Sequence, residues 1–137
     1  MKAWLKIALA AALLPLAPAL AQAPKDAVAP PAVQKDFDGF IAKFRAAVTA
    51  NDAIAVAGMT KLPYQTETSI RDAAQFRDKI YKRHFTAKNR ACIQRSKPVY
   101  DRDGENNDNY FIFCSGQMFT FTKTPAGFLF AEVGDAD

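Results

Sequence analysis

Few side chains in this sequence have the type and spacing that catalysis requires. His84 is the only histidine, and Asp78 with the tyrosines Tyr64, Tyr81 and Tyr110 forms the pool of groups for acid–base work. No G-x-S-x-G or H-E-x-x-H motif is present. We therefore assign no catalytic residue, and we treat the three tyrosines as candidate lining of a ligand pocket.

Metal binding is not predicted either. Asp103, Glu105 and Asp108 share a polar loop, but the loop lacks the repeat frame and the final glutamate of an EF-hand. His84 has no further ligand at a suitable spacing. We expect no metal ion and no cofactor.

The two cysteines, Cys92 and Cys114, lie on two consecutive predicted strands. If they face each other across an antiparallel pair, Asp101 pairs with Glu105, and the loop 102–104 between them ends in a glycine. That is a favoured hairpin loop, so we predict a disulfide between the two cysteines. The alternative is two buried free thiols, and the absence of a C-x-x-C motif argues against a redox enzyme.

Positive charge is concentrated in one part of the chain. Residues 71–102 hold ten basic and three acidic side chains, whereas residues 103–137 hold one basic and six acidic. The densest group, here called the basic cluster, is Arg77, Lys79, Lys82 and Arg83. We interpret it as a candidate surface for an acidic partner, the alternative being an ordinary solvated helix face.

The run from 110 to 114 is apolar on both faces of a predicted strand. Tyr110, Ile112 and Cys114 fall on one face, and Phe111 and Phe113 fall on the other. Such a sheet is covered on both sides, or it presents an apolar patch to a ligand or a partner.

The first part of the chain is predicted to form three helices. Apolar residues at helical spacing over 37–48 predict a first helix that starts at Asp36. A second, short helix follows Asp52, and a third begins at Ser69 with an approximate capping box.

Strands are predicted for most of the remainder. Thr86 caps one further helical turn, 87–91, and a proline and a glycine mark a tight turn over 124–127. The predicted strands are 64–68, 90–100, 110–122 and 128–133. We therefore predict an α+β domain over 36–134, with helices packed on a curved, cone-like antiparallel sheet of about four strands.

The N-terminus has the order of a secretory signal peptide. Lys2 and Lys6 lead into an apolar run that ends in the small residues Ala19 and Ala21. Prolines interrupt the run, which makes it a poor membrane span. We predict a signal peptide over 1–21, then a flexible proline- and alanine-rich spacer over 22–35, and export to the periplasm or out of the cell.

Composition is that of a folded domain with little net charge. The 137 residues are 50% hydrophobic and 23% charged, which excludes a disordered polar tail. Lys2 and Lys6 leave with the signal peptide, so that 16 of the 18 Lys and Arg remain against 14 Asp and Glu. Such mild charge on an exported protein argues against nucleic acid as a partner.

The order of elements resembles the nuclear transport factor 2-like (cystatin-like cone) superfamily. The resemblance is carried by the segments FDGFIAKFRAAVTANDAIAVAGMTKLPY, SIRDAAQFRDKIYKRHFT, YFIFCSGQMFTF and GFLFAEVG. It implies a curved sheet wrapped round the helices with a cone-shaped pocket inside. Members of this superfamily include isomerases, dehydratases, ligand binders and interaction domains, so the fold alone leaves the function open.

We expect a non-enzymatic, exported domain that binds a small apolar ligand or a protein of the cell envelope. One alternative is an inhibitor or immunity-type protein that uses the basic cluster against an acidic partner. Another is a small isomerase or lyase that uses the cone pocket. After removal of the signal peptide we expect no membrane-spanning segment, and the sequence does not determine the oligomeric state.

Overall fold

The computed structural model describes residues 27–136. Helices come first along the chain, and a four-stranded antiparallel sheet follows. The predicted α+β class is confirmed. The predicted signal peptide, 1–21, and the beginning of the predicted spacer, 22–26, lie outside the described residues.

Helix α1 (Pro31–Thr49) buries an apolar stripe against the sheet. The helix begins at Pro31 rather than at Asp36, so residues 31–35 of the predicted spacer are helical. Proline suits the first helical position because the N–H that it lacks would have no partner there. Its buried residues are Val33, Phe37, Ile41, Phe44, Ala47 and Val48.

Helix α2 (Ala53–Gly58) begins as predicted, because the Asp52 carboxylate accepts a hydrogen bond from the Ala55 N–H at 3.0 Å. The chain then reaches the sheet, where the Lys61 N–H donates to the Phe130 carbonyl at 2.8 Å. The strand predicted over 64–68 is absent. The backbone there closes on its own loop instead, with the Tyr64 N–H donating to the Ile70 carbonyl at 2.8 Å.

Helix α3 covers residues 73–84 and begins after Asp72, not at the predicted Ser69. The Asp72 carboxylate accepts from the Gln75 N–H at 2.8 Å, and the Gln75 side-chain oxygen accepts from the Arg71 N–H at 2.7 Å. This pair satisfies two N–H groups at the helix start, which is why the helix begins there. Its parts are Ala73–Phe76, a π-helical turn Arg77–Tyr81, and a final α-helical turn Lys82–His84.

Helix α4 (Ala87–Arg95) replaces most of the strand predicted over 90–100. Its start is confirmed, since the Thr86 hydroxyl accepts from the Asn89 N–H at 3.2 Å. Its end depends on α1: the Arg45 guanidinium donates to the carbonyl of Ile93 at 3.0 Å and to that of Ser96 at 2.7 Å. Arg45 thereby satisfies carbonyls that a helix end leaves without partners.

The sheet has the order β1-β2-β3-β4, with each strand antiparallel to the next along the chain. The run predicted as one strand, 110–122, is two strands, because Ser115 and Gly116 both adopt positive φ and form a tight hairpin turn. The predicted turn over 124–127 is confirmed. The strands are Val99–Arg102, Asp108–Cys114, Gln117–Thr124 and Gly127–Asp135.

The β1–β2 hairpin has a longer loop than the cysteine argument predicts. Tyr100 pairs with Tyr110 and Arg102 pairs with Asp108, so the loop is 103–107 rather than 102–104. The Asp103 carboxylate stabilises this longer loop, since it accepts hydrogen bonds from the backbone N–H groups of Glu105 at 2.9 Å and Asn107 at 3.0 Å.

The predicted disulfide between Cys92 and Cys114 is confirmed, with the two Cα atoms 5.9 Å apart. The geometry from which we inferred it is wrong, because Cys92 lies on α4 and not on a strand. Cys114 is the last residue of β2. The bridge therefore joins a helix to the sheet.

Aromatic rings fill the space between α1 and the sheet. Phe37 stacks on Tyr110 with ring centroids 3.7 Å apart, and Phe44 packs edge-on against Phe121 at 5.0 Å. Phe130, at the centre of β4, is fully buried among them. Side chains of the core thus fill the space between α1 and the middle of the sheet.

Candidate functional site

The face of the sheet that points away from α1 carries the strongest candidate site. Strand alternation places Tyr110 and Ile112 in the core and sends Asn109, Phe111 and Phe113 to the opposite face. Phe113 is 50% exposed there. The prediction of two apolar faces on this strand is therefore correct, but within residues 27–136 helices cover only the inner one.

A cleft of about 850 Å³ opens on this outer face, and we call it the sheet-face cleft. The loop 61–68 forms one wall and the loop 103–107 forms another. Lys61 is held in place by its backbone bond to β4, and the hairpin loop by the Asp103 carboxylate. The sheet residues that line the cleft are Asn109, Phe111, Thr120, Thr122, Lys123, Thr124 and Glu132.

Two buried oxygen atoms at the base of this cleft lack hydrogen-bond partners among the described residues: Asn109 Oδ1 and Thr120 Oγ1. Each of these residues is only 5% exposed. Buried polar atoms are nearly always hydrogen-bonded in folded proteins, and an unsatisfied one costs about 1–3 kcal/mol. Each oxygen has almost no solvent-exposed surface of its own, so a ligand's hydrogen-bonding group would be stabilising there once neighbouring side chains move to admit it.

The orientation of the Asn109 amide is determined by Asp103. The amide nitrogen donates to Asp103 Oδ2 at 3.1 Å, so the amide oxygen must point elsewhere. Hydrogen bonds from the backbone and side chain of Asn107 hold the pKa of Asp103 down at about 2. The Asp103 carboxylate therefore remains ionised and accepting at neutral pH.

The cleft is more negative than positive. Its acidic side chains are Asp103, Glu105 and Glu132, and Glu132 lies directly opposite Thr120 in the β3–β4 register. Lys123 also borders the cleft, but its ammonium lies 3.6 Å from Asp36 on α1. Lys61 is then the cation that remains to balance the three carboxylates.

The three predicted pocket tyrosines do not share one cavity. Tyr64 borders the sheet-face cleft, yet its hydroxyl accepts the Val133 N–H at 2.8 Å and burial raises its pKa to about 12. Tyr110 donates to Gln34 at 2.9 Å, and burial raises its pKa to about 12. Tyr81 donates to Asn51 at 2.7 Å, and burial raises its pKa as well.

A second cavity of about 430 Å³ lies between α1 and the edge strand β1. Tyr110, Phe37 and Ile41 supply its apolar lining, and its charged groups are Arg45, Asp38 and Lys97. Arg45 is already engaged by the end of α4, and the Tyr110 hydroxyl by Gln34. This cavity offers fewer free polar groups than the sheet-face cleft.

The basic cluster lies on α3, away from both cavities. Lys79, Lys82 and Arg83 are exposed, and Arg77 is half-buried. Two of the four charges have acidic neighbours: Lys82 lies 3.8 Å from Asp78, and Arg83 lies 3.3 Å from Glu67.

His84 belongs to a small polar network at the end of α3. Its Nδ1 lies 3.0 Å from the side-chain nitrogen of Gln117, whose oxygen accepts from Asn89 at 2.9 Å. The Gln117 nitrogen can only donate, so Nδ1 is the acceptor and the ring is neutral. Burial lowers the pKa of His84, and the charge of Arg83 lowers it further.

Within residues 27–136 no group of three His, Cys, Asp or Glu side chains is arranged to hold a metal ion. Over the same residues, no helix is long and apolar enough to cross a membrane. In comparisons with known proteins, the chain matches no protein-family model, no curated protein and no solved structure.

Proposed function

We propose that this chain is an exported, non-catalytic binding domain whose ligand occupies the sheet-face cleft. The observation that carries the proposal is a pair of buried oxygens, Asn109 Oδ1 and Thr120 Oγ1, that have no partner in the described part of the chain and lie at the base of a cleft of about 850 Å³. A cleft of this size accommodates a small molecule or a few residues of a peptide. Its ligand must supply hydrogen-bonding groups, so it is more polar than the small apolar ligand that we expected from the sequence.

The chemistry of the cleft favours binding over catalysis. The buried groups at its base are an amide and a hydroxyl, which form hydrogen bonds but neither gain nor lose a charge at neutral pH. Its tyrosine, Tyr64, already accepts a backbone N–H and has a pKa of about 12. The alternative function is that of an isomerase or lyase. Such an enzyme would need one of the surrounding carboxylates as its general base.

Export to the periplasm or the cell exterior is part of the same proposal. The N-terminal order of Lys2, an apolar run and Ala21 supports it, and so does the disulfide, because disulfides persist in oxidising compartments. The intact mass of the protein purified from the cell envelope without reductant tests this. We expect a chain that begins at residue 22 and lacks two hydrogens; a full-length cytoplasmic chain would contradict export.

Binding in the sheet-face cleft is tested by a fragment screen with NMR detection on the folded protein. We expect binders to shift the amide signals of residues 103–109 and 120–124 together with that of Glu132. Binders that shift only the signals around Ile41 and Val99 would instead assign the site to the second cavity, and would refute the proposal.

A second candidate, a protein partner with an acidic surface, is favoured by the exposure of Lys79 and Lys82 on one side of α3. The nearby Asp78 and Glu67 reduce the charge available to such a partner. Association through this surface would weaken steeply with added salt and would be lost when Lys79 and Lys82 are both changed to Glu. Binding in the sheet-face cleft would be unaffected by that double substitution.

A further inference from the structure

We propose that the sheet-face cleft recognises a cationic group that carries N–H donors, an ammonium or a guanidinium. This inference rests on the proposed function, since it names the chemical class of the ligand at the same site. Three independent features of the cleft lead to it: the acceptor at its base, the excess of carboxylates around it, and an aromatic wall.

The first feature is an acceptor that only a donor can satisfy. An amide oxygen has lone pairs and no hydrogen, so Asn109 Oδ1 can only accept. Rotating the amide would not remove this demand, because the nitrogen is bonded to Asp103 Oδ2 at 3.1 Å and an oxygen there would face a carboxylate. Thr120 Oγ1 has a free acceptor as well. A ligand that reaches both oxygens must therefore bring at least one N–H or O–H.

The second feature is charge. Asp103, Glu105 and Glu132 border the cleft, and Glu132 pairs with Thr120 across β3 and β4. The ammonium of Lys123 lies 3.6 Å from Asp36 on α1, and Lys61 is the other lysine that borders the cleft. A cation in the cleft would gain charge-assisted hydrogen bonds, which are roughly twice as strong as neutral ones. An anion would be disfavoured, because the three carboxylates outnumber the two lysines.

The third feature is Phe111. It lies directly opposite Thr120 in the β2–β3 register, on the same outer face, and its ring is partly exposed in the cleft. Aromatic rings attract cations through the negative charge of their faces, and guanidinium groups stack on them as well. An aromatic wall, carboxylates and a buried acceptor together form the chemistry of an amine or guanidine site.

The test uses agmatine, which carries both an ammonium and a guanidinium group, in an NMR titration of the folded protein. The matched control is 1,4-bis(trimethylammonio)butane, because it carries the same two positive charges on a four-carbon chain but has no N–H donor. We expect agmatine to shift the amide signals of Asn109, Thr120 and Glu132, and the bis-quaternary control to bind at least tenfold more weakly. Equal binding of the two cations would overturn the requirement for donors.

Substitutions in the cleft test whether the named atoms take part in the binding. Thr120→Val removes one unpartnered oxygen and keeps the shape of the side chain, so we expect the affinity for agmatine to fall roughly tenfold. Glu132→Gln removes one charge and should weaken the binding of agmatine and of the bis-quaternary control alike. Thr49→Val on α1 and Asp78→Asn on α3 make the same chemical changes outside the cleft, and should leave both affinities unchanged. Unchanged affinity in Thr120→Val would refute the role of that oxygen.

Two sources could present such a cation, a free amine or an arginine side chain of a partner protein. A blocked glycine peptide with one central arginine, titrated beside agmatine, distinguishes them: the tighter ligand indicates the source. If neutral fragments bind in the cleft and neither cation does, this inference fails and the proposed function stands. If no probe of any class shifts the cleft signals, both fail.

Discussion

Asn109 and Thr120 lie diagonally across the β2–β3 hairpin, on the face of the sheet away from α1, and each buries an oxygen that has no partner within residues 27–136. Asn109 pairs directly with Thr122, and Thr120 pairs directly with Phe111. The same two atoms that destabilise the free domain are those best placed to bind a ligand. Stability and binding should therefore respond in opposite directions to substitution here.

We predict that Thr120→Val stabilises the free protein by about 1 kcal/mol, because it removes a buried hydroxyl that has no partner and leaves a β-branched strand residue. Urea denaturation of the ligand-free protein measures this. Thr49→Val, on an exposed part of α1, is the control and should change stability little. A loss of stability in Thr120→Val would mean that the hydroxyl is already satisfied.

Loss of the disulfide should lower the stability, because the unfolded chain without the bridge gains conformational entropy. Changing both Cys92 and Cys114 to Ala opens a loop with a sequence separation of 22, and the chain-entropy model puts the loss at about 3 kcal/mol. Reductant added to the unchanged protein should lower the urea midpoint in the same way, and should have no effect on the double variant. Equal midpoints in all four samples would show that the bridge contributes no stability.

Removing an aromatic ring should cost far more stability on the inner side of the sheet, where α1 packs, than on the outer side. Phe44→Ala removes a fully buried ring that packs against Phe121 and Phe130, and should destabilise the protein by about 3–5 kcal/mol. Phe113→Ala removes a ring that is 50% exposed and should cost less than about 1 kcal/mol. Thermal denaturation of the two variants checks this. Similar losses would show that Phe113 is covered in solution, for example by a second copy.

Arg45 should act as a clamp on the end of α4. Arg45→Met keeps the apolar stem but removes the hydrogen bonds to Ile93 and Ser96, and should cost roughly 2 kcal/mol. Hydrogen exchange should speed up most at the last turn of α4. Lys43→Met, at an exposed position two residues earlier on α1, is the control. Uniform exchange changes along the chain would contradict a local clamp.

Stability should fall as the pH is lowered through the histidine range. Burial lowers the pKa of His84 below its ordinary value of 6.5, so the unfolded chain takes up a proton at a higher pH than the folded chain. The contribution of His84 to the free energy of unfolding is fully present above pH 6.5 and is lost progressively below it. Urea denaturation at pH 8 and pH 5.5 measures this difference. His84→Asn, which removes the only histidine, should flatten the dependence, and an unchanged slope would refute the assignment.

Several parts of the fold could be predicted because their signals are local. The apolar spacing of Phe37, Ile41 and Phe44 defines a helix face within a few turns, and Asp52 and Thr86 cap helices through N–H groups three residues away. The turn over 124–127 depends on its own proline and glycine. Periodicity and capping involve neighbours in the chain, so the sequence alone is enough to determine them.

The errors arose where a distant contact overrides a local preference. Residues 90–95 are helical because Arg45, 48 residues earlier than Ile93, satisfies the end of α4. The cysteine pair is correctly predicted, but from a wrong register of the β1–β2 hairpin: Cys92 lies on α4, and the packing of α4 against β2 brings it to Cys114. Ser115 and Gly116 carried the signal for a tight turn, which the apolar run on either side concealed.

The candidate site was the least accessible to sequence reasoning. Alternation along β2 places Asn109 on the same face as Phe111, but it does not reveal which face α1 will cover. The loop 61–68 and the hairpin loop 103–107 then enclose that face from distant parts of the chain. Whether a polar atom is buried without a partner depends on all the segments that surround it, so only the tertiary structure decides it.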